Sequence, residues 1–185
     1  MDPRRRSMVM QGAFGLFAFQ IGGSVAILTP RAARAAQVPM RVLGAAQVRT
    51  LEALGDTLVP GAAEAGLAAY LDHQLAAPPT DSLLMIRYLD VPPPHAPFYA
   101  GGLAAVDAAA KRQFGRPFGS LDAEERTTFV GAMQRGALDG WQGPPAPFFY
   151  FVLRSDAVDV VYGTPEGFEK LGVPYMAHIP PTEKW

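Results

Sequence analysis

Prolines cut this chain into short pieces, and that punctuation limits the fold more than any other feature. Proline removes a backbone donor and clashes with a helical turn behind it, so it ends regular structure or starts it. Pro60-Gly61, Pro78-Pro79, Pro92-Pro93-Pro94 with Pro97, and the Gly140–Pro147 region divide the body into helix-length segments. Between the stops the apolar spacing is helical. Val48, Leu51, Leu54 and Leu58 step by three, three and four within Gln47–Leu58. Leu67, Tyr70, Leu71 and Leu75 mark a second helix. Asp81 is placed to cap a short third one running to Leu89, with the prolines from 92 to 97 imposing an extended stretch after it.

Leu103, Val106, Ala110 and Phe114 predict the next helix, with Gly115 as its left-handed terminator. Asp122-x-x-Glu125 reads as a capping box for a helix carrying Phe129, Val130, Met133 and Ala137. Helix and strand compete over 148–162, because Val158, Val160 and Val161 favour a strand. The Phe148/Val152 and Phe151/Ser155/Val158 spacings favour a helix. From Gly163 onward, glycine and proline predict a loop. The expected fold is all-α: about five helices, a long proline-rich C-terminal tail, and an N-terminal signal helix.

Two organisational units follow, 1–35 and 36–185. The first carries a charge of +4 and the second −5, which leaves no basic stripe for nucleic acid. Arg4-Arg5-Arg6-Ser7 precedes an apolar run from Met8 to Leu28, then Thr29-Pro30-Arg31-Ala32-Ala33-Arg34-Ala35. A basic head, an apolar middle and an Ala33-x-Ala35 end have the three-part build of an export signal. Arg5 and Arg6, with Met8 and Val9 behind them, read as the twin-arginine type. Arg4 replaces the usual hydroxyl residue before the pair, and no lysine follows. A retained membrane helix over residues 8–28 is the alternative, since about 20 apolar residues span a bilayer. Glycine and glutamine in the run, and Ala33-Arg34-Ala35 after it, favour a cleavable signal.

The residues offer no reactive constellation. Cysteine is absent, which excludes disulfides, thiolate nucleophiles and thioether-attached haem. His73, His95 and His178 each stand alone, without a ligand partner at helical spacing, and read as surface or capping residues. Asp122, Glu124 and Glu125 suit a helix start, where the dipole favours acids. No serine sits in a G-x-S-x-G elbow, and Gly101-Gly102 lacks the spacing of a dinucleotide loop. No catalytic, cofactor-binding or metal-binding residue is therefore expected in this chain.

Aromatic surface is what remains. Phe148, Phe149, Tyr150 and Phe151 are consecutive, so they cannot all face one core. With Trp141, Tyr162, Phe168 and Tyr175, the residues Phe148, Phe149 and Phe151 are the candidates for a partner interface, where aromatics are enriched.

Leu51 to Gly61, Glu64 to Asp72, Gly102 to Asp107, Phe118-x-x-Leu121, and Val161-Tyr162-Gly163 through Pro174 occur in an order that resembles the gluconate 2-dehydrogenase subunit 3 family. The resemblance covers about residues 45–176. It implies a non-catalytic small subunit of a periplasmic flavoprotein dehydrogenase of the glucose–methanol–choline type. In such complexes the large subunit holds FAD and oxidises a sugar, sugar acid or polyol, and a multihaem cytochrome c often takes the electrons. The small subunit binds the large one, aids its maturation and supplies the twin-arginine signal. Periplasmic location, with inner-membrane association through the complex or an uncleaved signal, is the matching expectation. An independent periplasmic enzyme is the alternative from a different class.

Overall fold

The computed structural model describes residues 15–174. It opens with a β-hairpin, β1 (Phe17–Ile21) and β2 (Ser24–Leu28), paired antiparallel from Phe17 opposite Leu28 to Ile21 opposite Ser24. Where the apolar run suggests a helix, residues 17–21 and 24–28 are strands, so the fold is mostly helical with a two-stranded sheet and not all-α. Met1 to Phe14, with Arg5, Arg6, Met8 and Val9, lie outside the described residues. Gly22 and Gly23, at φ 55° and 84°, make the two-residue turn that reverses the chain. Phe17 and Phe19 then point to one face and are buried, while Val25 and Ile27 stay exposed. No helix among the described residues is long and apolar enough to cross a membrane.

Eight α-helices follow among the described residues: α1 (Pro30–Ala35), α2 (Ala45–Leu58), α3 (Ala62–Ala65), α4 (Leu67–Ala76), α5 (Ala96–Phe114), α6 (Ala123–Gln134), α7 (Ala146–Tyr162) and α8 (Pro165–Lys170). Helix α2 is the hub, touching α3, α4, α5, α6 and α7. The helical spacing predicts this role, since Leu51 and Leu54 are wholly buried and Val48 and Leu58 pack at the edge of the core. Gly115 ends α5 at φ 75°, as expected. Asp122 caps α6 by accepting the Glu125 N–H at 2.9 Å, and Glu125 accepts the Asp122 N–H in return.

Three expectations change. The third helix is only a 3₁₀ turn, Met85–Tyr88. The stretch after Pro92-Pro93-Pro94 is not extended throughout, because α5 starts at Ala96 with Pro97 in its first turn, where no N–H is required of it. The segment after Gly163 is not all loop. Thr164 accepts the Gly167 N–H at 3.0 Å and Pro165 opens α8 in the same way.

Two acids, Asp72 buried and Asp107 half-buried, tie the chain connections down. Asp72 on α4 accepts the backbone N–H groups of Arg41, Val42 and Leu43, each at 2.8 Å, and so pins the link between α1 and α2. Asp107 on α5 accepts the Thr50 hydroxyl of α2 at 2.8 Å and the Phe118 N–H at 3.1 Å. Charge-assisted bonds of this kind are shorter and stronger than neutral ones.

Candidate functional site

Helix α7 carries the densest aromatic sequence, and the structure resolves which way it faces. Phe149, Val152, Leu153, Ala157, Val160 and Val161 point inward. Phe149 is wholly buried against Phe98 and Trp141, with ring centroids 5.5 and 6.5 Å away. It also fills the space over Gly102, where an added Cβ would lie 2.2 Å from the ring. Phe149 is therefore a core residue and leaves the set of interface candidates. Phe151, two residues on and roughly half a helical turn round, is 48% exposed. Phe148 is half-buried and meets Phe98 edge-on at 5.6 Å. Trp141 is half-buried and donates its indole N–H to the Pro144 carbonyl at 2.6 Å. Tyr162 and Phe168 are half-buried as well, and Tyr175 lies outside the described residues.

Beneath this face is an acid that sequence reading missed. Asp156 has no exposed surface. Its Oδ2 accepts the Tyr99 hydroxyl of α5 at 2.6 Å, and its Oδ1 accepts the Met85 N–H at 2.8 Å. Burial pushes the carboxyl up to about 7, against the two hydrogen bonds that pull it down. Burial and the Asp156 charge raise Tyr99 and Tyr70, so both stay neutral hydroxyls. The acid binds the 3₁₀ turn bearing Tyr88, which is 62% exposed, to the helix bearing Phe151. With no exposed surface and one protein donor on each oxygen, this acid holds the two elements together beneath the surface.

The family model for gluconate 2-dehydrogenase subunit 3 matches residues 45–180. The chain belongs to that family. It is thus a member of a family of dehydrogenase subunits, which implies a larger catalytic partner. Comparisons with curated proteins and with solved structures return no match. The family region starts at the first residue of α2, so it holds the hub, the Asp156 cluster and the aromatic face, while β1, β2 and α1 precede it.

A pocket lies where that preceding segment meets the subunit-3 body. It measures about 250 Å³ and is bounded by Phe19, Gly22, Met40, Arg41, Asp72 and His73, among others. His73 is not the surface residue its sequence context implies. It packs against Phe17 and Phe19, with ring centroids at 5.2 and 5.1 Å, and its buried Nδ1 has no hydrogen-bond partner. Burial lowers its pKa below the ordinary imidazole value. His95 is buried too, and its Nε2 lies 3.1 Å from the Val91 carbonyl at the head of α5. His178 lies outside the described residues. Among the described residues no group of three or more metal-binding side chains converges.

Proposed function

We propose that this chain is the small, non-catalytic subunit of a membrane-associated periplasmic dehydrogenase that oxidises a sugar, sugar acid or polyol. It binds the large FAD-bearing subunit, aids its maturation, and carries it outward on a twin-arginine leader. FAD belongs to that partner and haem c to a third, cytochrome subunit. The observation that carries the proposal is the family match over residues 45–180. The exposed aromatics Tyr88 and Phe151, set on elements that Asp156 locks together, support it, because rigid aromatic anchors lose little entropy on docking.

Deleting residues 1–36 tests the export role. The expected result is loss of dehydrogenase activity from the periplasm, with the flavoprotein retained in the cytoplasm. A fully active enzyme in the periplasm would contradict it.

A further inference from the structure

The described part of the expected leader, residues 15–35, is seated on the body that follows it. Phe17 is 4% and Phe19 6% exposed, packed on Tyr70 and His73 of α4. Helix α1 follows, capped by Thr29, whose hydroxyl accepts the Ala32 N–H at 3.2 Å. Ala33 is wholly buried. Arg31 pairs with Glu64 at 2.8 Å and Arg34 with Glu52 at 3.2 Å. Gly66 accommodates the approach: at φ 92°, an added Cβ would stand 2.2 Å from the Pro30 carbonyl oxygen. Every one of these seats (Glu52, Glu64, Gly66, Tyr70, His73) belongs to the family region.

The bond expected to be cut, Ala35–Ala36, lies at the end of this docked helix. The backbone on both sides of it is engaged: the Ala36 N–H donates to the Ala32 carbonyl at 2.9 Å, and the Val38 N–H to Ala33 at 3.0 Å. An endopeptidase needs its substrate strand free of such bonds, so cleavage of a folded chain proceeds through a locally opened state.

We propose that the hairpin and α1 form a latch: Ala35 and Ala36 are exposed, but while the latch is docked on the folded body the bond between them is held in a hydrogen-bonded helix end that an endopeptidase cannot take as an extended strand. Cleavage then follows undocking of the hairpin. It adds water across the Ala35–Ala36 amide, leaving the carboxylate on Ala35 and the amine on Ala36. The proposal rests on reading residues 1–35 as an export leader, and it orders the events: folding first, processing second.

Trypsin is a suitable probe, because it cuts after Arg31 and Arg34 beside the same bond. Cleavage after Arg34 in the purified full chain is expected to be at least about 100-fold slower than in a synthetic peptide of residues 26–45. The Phe17→Ser/Phe19→Ser variant should raise that rate about tenfold or more with helix content retained. A full-chain rate within about threefold of the peptide's, or a folded variant no faster than the parent, overturns the latch. Where the variant loses its fold, amide exchange on the unaltered chain decides. Protection at Ala33, Ala36 and Val38 close to that of α2 supports the latch, and exchange at the free-peptide rate overturns it. These readouts need no transport machinery. A chain that keeps its protection yet fails to export the flavoprotein counts against the leader reading instead.

Discussion

Asp156→Ala is expected to lower the unfolding free energy by about 3 kcal/mol, because it leaves the Tyr99 hydroxyl and the Met85 N–H buried without an acceptor. Asp156→Asn keeps the shape and an acceptor oxygen, and its signature is in the pH dependence. Burial raises the native carboxyl to about 7, while the unfolded chain titrates near 4. Between those values the native state holds the proton and the unfolded state has released it. Stability from this group is therefore greatest at acid pH, falls as pH rises from about 4 to 7, and levels off above that. The full drop is on the order of 4 kcal/mol. Urea midpoints of the parent and Asp156→Asn across pH 4.5–8 check it. The parent curve should fall towards neutral pH relative to the variant, and parallel curves would show that Asp156 is not titrating in the fold.

Phe149→Ala should cost about 3–5 kcal/mol, the range for removing a buried aromatic ring that the surroundings cannot refill. The ring lies between Phe98, Trp141 and the bare backbone of Gly102, so its loss opens a cavity at the α5–α7 crossing. The crossing fails from the other side too. Gly102→Val drives a side chain into the space the ring occupies and is expected to cost about 1–3 kcal/mol. Phe151→Ala, at a position 48% exposed, should stay within about 0.5 kcal/mol of the parent. Thermal and urea denaturation of the three variants separate the roles of two phenylalanines that sit two residues apart. Equal losses at positions 149 and 151 would refute the assignment of core and surface.

Helix α2, the capping box at Asp122 and the end of α5 at Gly115 were legible because each depends on local spacing. The helix over residues 148–162 was less so, because Val158, Val160 and Val161 gave a competing strand signal. The facing of its four aromatics was not legible, since that phase is set by where α5 passes, and Gly102 announces the crossing only once the two helices are paired. The hairpin was obscured because the run from Met8 to Leu28 has the apolar content of a helix. Its signal was present nonetheless: Gly22-Gly23 flanked by Phe17, Phe19 and Ile21 at alternating positions is a two-residue hairpin pattern. Thr164-Pro165 likewise held the start of α8, a cap followed by an N1 proline, inside a segment whose glycines read as loop. Asp156 gave no local sign of its task, because its partners Tyr99 and Met85 lie 57 and 71 residues away.

The proposed role is that of a body whose exposed aromatic anchors serve a catalytic partner. The direct measurement is sugar-acid oxidation, read as dye reduction, for the purified chain alone and for the chain co-purified with its co-expressed flavoprotein. The expected result is a stable stoichiometric complex in which all turnover tracks the bound flavin, and no turnover from the chain alone. Oxidation by the isolated chain, or a chain that elutes as a monomer apart from an active flavoprotein, would contradict it.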